Sequence, residues 1–278
     1  MTAPTVVKFG GELLEDPERL SGVVSAMSRV APPRGTTPLV IVHGGGKEID
    51  AALKSAGIEK RQVEGLRITD EATLDVVVAV LAGSVNTRVV AALTAQGVSA
   101  VGLTGADGRC GLSEPAPPHR TVDGRLVDLG RVGIPSDRAG TRILTTLVAA
   151  GFVPVIACIG VDAEGRLFNV NADTFAGRLA ARLGARRLVI AGTTAGVLDN
   201  AGATIPSLDA RAMSELIADR TATAGMIAKL RACEDAVQHG TGDVLIVDGR
   251  NSTALEAAAL GSEVKVATRI VAGEQVRQ

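Results

Sequence analysis

The chain has 278 residues, with 29 Lys and Arg against 30 Asp and Glu and a formal net charge of −1. That near-balance speaks against nucleic acid or a polybasic membrane attachment as partner, and no uninterrupted apolar run reaches the ~20 residues that span a bilayer. Four Phe are the whole aromatic content, with no Trp and no Tyr, which excludes base-stacking surfaces and aromatic cages and leaves Ala, Val, Leu and Gly to fill the core.

Cys110, Cys158 and Cys233 are odd in number and widely separated, so neither a disulfide framework nor a CxxC site is expected. His43, His119 and His239 never stand at metal-ligand spacing, and no protein-held metal is expected. The opening MTAPTVVKFGG enters a strand at once, without a charged stretch followed by an apolar one. It carries no secretory leader, and the expected compartment is the cytoplasm.

In chain order, the first apolar run is TVVKF (5–9), a strand that closes on Lys8 and Phe9 just before Gly10 and Gly11. Lys8 is either an edge-strand side chain reaching solvent or an ammonium at a strand mouth that faces an anion. The stretch alone leaves both open. A helical pattern runs from Pro17 to about Val30, PLVIVH (38–43) is the second strand, and a helix follows from Lys47 to about Ala56. A long helix is expected from Glu71, capped by Asp70, to about Ala95, before the strand SAVGL (99–103).

The segment 111–133 is proline-rich with an Asp123–Gly124 turn and reads as a β-hairpin excursion, of a length that often flanks a ligand. A helix near 136–150 leads to FVPVIA (152–157). NADTFAGRLAARLGA (171–185) is a helix ending near Gly184, followed by RRLVIA (186–191). A helix at about 225–239, the strand DVLIVD (243–248), a short helix (253–260) and the strand EVKVAT (263–268) complete the series. Apolar strands separated by helices predict an α/β fold with a mainly parallel sheet covered on both faces. No linker divides the chain, and any lobe boundary falls near Gly184.

Ligands of open α/β sheets bind beyond the carboxyl ends of the strands. Here those ends read FGG (9–11), HGGGKEI (43–49), GLTGADG (102–108) and AGTTAGVLD (191–199). Any one of these can be an ordinary turn, but four on one edge predict backbone N–H cradles for an anion. Neither GxxxxGK[ST] nor a strand-borne GxGxxG is present, so a phosphate would be held by another architecture. FNVNADTFAG (168–177) spaces Asn169, Asn171 and Asp173 alternately into a helix start, which capping alone could also explain. TAGMIAKL (223–230) enters a helix through Gly225 and Met226 and carries Lys229 one turn in.

Taken together, VVKFGG, VIVHGGGKEID, VEGLRITD, LAGSVNTRVV, AVGLTGADG, PVIACIG, NVNADTFA, GMIAKL and the closing ATRI resemble the amino-acid kinase family, in the family's order and over nearly the whole chain. GLRITD with NVNAD and GM-x-x-K resembles the branch that acts on N-acetyl-L-glutamate. The resemblance implies a three-layer αβα sandwich, with residues 1–184 holding the amino acid and residues 185–278 holding ATP. It implies transfer of the γ-phosphoryl group of ATP to the side-chain carboxylate of N-acetylglutamate, giving an acyl phosphate in arginine biosynthesis, with Mg²⁺ carried by the nucleotide.

Motif by motif, the resemblance places Lys8 and Lys229 on opposite sides of the phosphoryl group, with Asp173 holding both ammonium groups. It gives Gly44, Gly45, Gly46, Arg67, Asn169 and Asn171 to the amino acid, and Gly10, Gly11, Thr193, Gly196, Gly225 and Met226 to the nucleotide. Thr193 departs from the family, which commonly has an Asp there. The alternatives are a kinase for N-succinylglutamate or an aminoadipate derivative, or a non-catalytic sensor on the same fold. The implied assembly is a homodimer. In arginine-inhibited members a helix before the first strand links dimers into a ring. Only MTAP precedes the strand in this sequence, so the expectation is insensitivity to arginine.

Overall fold

The computed structural model describes residues 3–121, 123–218 and 224–271. Eight strands form one sheet: β1 (Thr5–Phe9), β2 (Leu39–His43), β3 (Ala100–Thr104), β4 (Val153–Ala157), β5 (Arg187–Gly192), β6 (Ser207–Leu208), β7 (Val244–Asp248) and β8 (Thr268–Ile270). Their order across the sheet is β6-β8-β7-β5-β1-β2-β4-β3. Every pairing is parallel except β7 with β8. β1, β2, β4 and β5 are buried along their whole length, as runs rich in Val, Ile and Leu require when helices cover both faces.

Nine helices flank the sheet among the described residues: α1 (Pro17–Val30), α2 (Gly46–Ser55), α3 (Glu71–Val78), α4 (Asn86–Ala95), α5 (Arg142–Ala149), α6 (Ala172–Arg182), α7 (Ala210–Ala218), α8 (Ala224–Gln238) and α9 (Ser252–Leu260). α1, α4 and α9 pack together on one face; α5, α6 and α8 cover the other. The three-layer sandwich is therefore the one expected. Its helix starts are specified locally: Asp16 accepts a hydrogen bond from the Arg19 N–H ahead of Pro17, and Asp70 does the same for Thr73.

β1 is the strand at which the chain changes direction across the sheet. β2, β4 and β3 extend to one side of it and precede Gly184, whereas β5, β7, β8 and β6 extend to the other and follow it. A crevice opens at such a switch point, at the carboxyl ends of the strands.

Two expectations need correction. The last strand is Thr268–Ile270, not 263–268. The alternation in EVKV finds no neighbouring strand, and the chain is anchored further on, where Thr268 Oγ1 donates to the Ile205 carbonyl at 2.7 Å and accepts from the Val197 N–H at 2.8 Å. The helix near 136–150 begins only at Arg142, because Gly140 N–H is engaged by the Arg109 carbonyl at 3.0 Å and Asp137 pairs with Arg178.

The long helix does run from Glu71 to Ala95, but α3 and α4 are joined by a π-helical segment, Ala79–Val85. By length and composition this 25-residue helix could cross a membrane, a property the count of uninterrupted apolar residues passes over. Val77, Leu81, Val85, Val89 and Leu93 form its buried inner stripe.

Candidate active site

A cleft of about 430 Å³ opens at the switch point. Its walls include Lys8, Gly10, Gly11, Glu12, Gly44, Gly45, Gly46, Arg67, Asn169, Asn171, Asp173 and Gly225. β1 delivers Lys8 into the interior, where its ammonium stands 2.8 Å from Asp173 Oδ1, both side chains about nine-tenths buried. Burial alone would lower the lysine pKa. Asp173, with Glu12 behind it, reverses that and raises the pKa above the ordinary lysine value. The solvated edge-strand reading of Lys8 is thereby excluded.

Asp173 is aimed by its helix. Asn171 caps α6, accepting from the Asp173 N–H at 2.9 Å and the Thr174 N–H at 3.1 Å. The cap fixes the first turn, and Asp173 projects from it toward β1. Asn171 thus has a structural duty that consumes its carbonyl oxygen, while its exposed body still lines the cleft.

Two glycine loops close the floor. A Cβ on Gly11 would come within 2.8 Å of Gly45 Cα, and one on Gly45 within 2.8 Å of Leu81 Cδ2. Any side chain here would separate the loops that follow β1 and β2. Their backbones can approach a phosphate or carboxylate because nothing projects from them.

Arg67 is brought into the cleft wall by a tight turn. Glu64 (φ 46°) and Gly65 (φ 82°) join the short strands Gln62–Val63 and Leu66–Arg67, two successive positive-φ residues as a hairpin turn demands. Arg67 Nη2 donates to Asp50 Oδ1 at 2.5 Å, and Nη1 is buried with no hydrogen-bond partner. A buried guanidinium edge left open in a cleft is a ready donor pair for a carboxylate. Asp50 is itself shared with Lys60 at 2.6 Å. Burial opposes its charge, but the hydrogen bonds and charges of Lys60 and Arg67 lower its pKa. Asn169 is brought beside Arg67 through Thr69, whose hydroxyl accepts from Asn169 Nδ2 at 3.1 Å.

Not all the expected residues join this cleft. Lys229 is not among the lining residues, although Gly225 and Ala228 of the same helix are, and its Nζ is 2.9 Å from where a Cβ on Gly192 would be. Asp173 pairs with Lys8 and not, within 4.0 Å, with Lys229. Thr193, Gly196 and Met226 stand outside the lining. Gly196 (φ 117°) packs onto Thr268, whose Oγ1 would be 2.5 Å from an added Cβ, so its glycine has a packing reason. The third glycine loop, after β3, is absent from the lining as well: Gly102 makes room for Asn86, and Gly105 for Gly111 and Phe175.

Sequence reasoning missed Glu12, Asp50, Thr69 and Asn86. Asn86 Nδ2 donates to the Val155 carbonyl at 2.9 Å and to His43 Nε2 at 3.0 Å. This leaves His43 Nδ1 as the donor to the Gly44 carbonyl, at 3.2 Å. Burial holds the His43 pKa down to about 4, so this ring is a neutral strut beneath the second glycine loop. Cys158, beside Lys8, is pushed up by burial to about 12 and stays a thiol.

A model of the amino acid kinase family matches residues 3–248. The chain belongs to that family. It is 42% identical over 254 residues to an acetylglutamate kinase of Solidesulfovibrio magneticus, covering 88% of this chain and 82% of that one. With the acetylglutamate kinase of Granulibacter bethesdensis it shares 41% over 254 residues, 89% of this chain and 84% of that one. Among solved structures, smu.665 from Streptococcus mutans has a TM-score of 0.78 at 25% identity, covering 98% of this chain and 99% of that one. An N-acetylglutamate synthase from Neisseria gonorrhoeae has a TM-score of 0.79 at 24% identity, the match covering 97% of this chain and 59% of that one; it shares the fold.

Proposed function

We propose that this amino-acid kinase phosphorylates the side-chain carboxylate of N-acetyl-L-glutamate with ATP. One observation carries the reading: a single cleft is lined by both the Lys8–Asp173 pair and Arg67, whose buried Nη1 is unpartnered. An amino acid with its α-carboxylate on Arg67 would point its side-chain carboxylate at Lys8, with the Gly44–Gly46 backbone and Asn169 steadying it between. The 42% identity to a named acetylglutamate kinase supports the same substrate.

The chemistry needs little from the protein beyond placement. A carboxylate with an ordinary pKa of about 4.3 is already ionised at neutral pH, so no general base is required. One of its oxygens attacks the γ-phosphorus, the bond from that phosphorus to the β-phosphate oxygen breaks, and ADP leaves. Lys8 and Lys229 neutralise charge on the phosphoryl oxygens as it passes. The glycine backbones of 10, 11 and 44–46, in loops where an added Cβ at 11 or 45 would clash, fit a phosphate-bearing ligand. Mg²⁺ bound to the nucleotide supplies further neutralisation of phosphate charge.

Residues 1–184 would then form the amino-acid lobe and residues 185–278 the ATP lobe, with β5 and the start of α8 facing the nucleotide. The protein is read as a cytoplasmic homodimer.

The charges in the cleft favour a neutral acyl group over a succinyl one. Lys8 and Arg67 are the only cations among the described lining residues, and both already have partners in this pose. The additional carboxylate of N-succinylglutamate would meet none. A coupled ADP-release assay across N-acetylglutamate, N-succinylglutamate, an N-acyl-aminoadipate and free glutamate tests the proposal. N-acetylglutamate should give the highest kcat/KM. ADP release with another of these acids but not with N-acetylglutamate would overturn it.

A further inference from the structure

Lys229 has no direct ion-pair partner among the described residues, and the two carboxylates that act on it are Asp173 and then Glu12. Asp173 is engaged with Lys8 at 2.8 Å, and no described carboxylate forms an ion pair with Lys229 within 4.0 Å. Glu12 faces it across Gly192. Lys229 Nζ lies 2.9 Å, and Glu12 Oε1 3.4 Å, from the one point that a Cβ on Gly192 would occupy. Both carboxylate oxygens of Glu12 are also 2.3 Å from the Cβ position of Gly10. Two glycines, one at the end of β1 and one at the end of β5, thus leave open the space that this side chain uses.

Glu12 is held in that attitude by its backbone. It lies in a short 3-10 turn, Gly11–Leu13, closed by the Leu13 N–H donating to the Gly10 carbonyl at 3.1 Å. Arg19, from α1, donates Nη1 to the Glu12 carbonyl at 3.1 Å.

The charged and titratable groups facing Lys229 are Lys8 from β1, Asp173 from α6, Glu12 from the turn after β1, and Cys233 one turn further along α8. Burial and then Lys8 drive the Lys229 pKa below the ordinary value, against Asp173 and Glu12. Asp173, shared with Lys8, is the larger of the two carboxylate influences on Lys229, and Glu12 adds to it from the turn after β1.

We propose that Glu12 is a positioning residue for the phosphoryl transfer, its carboxylate keeping the Lys229 ammonium charged and turned toward the cleft. The inference rests on the kinase reading for its consequence, since Lys229 must carry its proton to neutralise a phosphoryl group. Its electrostatic core is independent of that reading.

The experiment compares the full-length wild type with Glu12→Gln, Glu12→Asp and Glu12→Ala. Amine acylation by acetic anhydride is followed over pH, with labelling at Lys229 read by mass spectrometry, beside the pH profile of kcat/KM for ATP. Losing a unit charge at this separation should lower the half-labelling pH of Lys229 in Glu12→Gln by roughly 1–2 units. The alkaline limb of the ATP profile should move down with it, because Lys229 loses its proton sooner. Glu12→Asp should restore most of both shifts, which a merely structural role would not produce. Continued protection of Lys8 reports that the variant is folded; if Glu12→Gln loses it, Glu12→Ala replaces it as the neutral variant.

An unchanged half-labelling pH in the folded neutral variant overturns the proposal, whatever the turnover. A shifted labelling curve in a protein that never turns over ATP would instead overturn the kinase reading and leave the Glu12–Lys229 pairing standing.

Discussion

Lys8 stays charged inside the protein because Asp173 stands 2.8 Å away in a site that excludes most solvent. Removing one partner of such a buried pair strands the other, at a typical cost of about 3–5 kcal/mol. Asp173→Asn is therefore expected to lower the urea midpoint and to cut kcat by at least ~10²-fold, the scale on which one electrostatic contact to a transition state acts. Near-normal turnover in that variant would remove Asp173 from the machinery. Elsewhere in the cleft wall, Arg67→Lys keeps a charge but loses the planar fork whose Nη1 is unpartnered. KM for N-acetylglutamate should rise by ~10-fold or more while KM for ATP stays within about twofold. A change confined to ATP would assign Arg67 to the wrong ligand.

At the scale of elements, the π-helical join between α3 and α4 and the loop after β2 form one mechanical unit. Leu81 and Val85 from the join press on Gly45, and Asn86, the next residue, ties His43 to β4. His43 adds a pH signature to that unit. Its folded pKa is about 4 against roughly 6.5 for an exposed imidazole, so the unfolded chain binds the additional proton between those values. The stability it contributes is complete above pH ~6.5 and declines as pH falls toward ~4, by up to about 3 kcal/mol in all. Chemical denaturation at pH 7.5, 6, 5 and 4 should show this slope, and His43→Gln should flatten it; an equal slope in both proteins would refute the assignment. Gly102→Ala should also destabilise, since its Cβ would lie 2.2 Å from Asn86 Oδ1, the same side chain that braces His43.

For the whole molecule, the cleft joins the two halves of the sheet at β1, so ligands on either side should stabilise one cooperative fold. A ligand held only by the native state at a hundred times its Kd contributes about 2.7 kcal/mol. N-acetylglutamate alone and ATP with Mg²⁺ should each raise the Tm. Chelation with EDTA should abolish turnover and the nucleotide's shift, while the shift from N-acetylglutamate persists. Loss of both shifts would mean that the amino-acid end is not a separate site. Light scattering tests the proposed homodimer directly, a monomeric mass at assay concentration being the contrary result.

What could be read from sequence is whatever depends on neighbours along the chain. Apolar runs bounded by glycine mark β1, β2, β4, β5 and β7 because burial on both faces demands them, and Asp16, Asp70 and Asn171 announce their helices because a cap is a contact over three residues. Lys8, Arg67 and Asp173 could be named from motifs whose order the resemblance supplied, and the fold brings them to one cleft. The resemblance also implied that Asp173 holds Lys8, but the tertiary structure alone decided how other side chains meet across long separations: Arg67 with Asp50, Asn86 with His43, and Glu12 facing Lys229 over Gly192. Of the four glycine loops that look alike in sequence, the structure also decided that only those after β1 and β2 line the cleft, whereas glycines of the other two, Gly105 and Gly196, make room for packing. A glycine's lack of a side chain is written locally, whereas the atom that fills the vacated space comes from elsewhere in the chain.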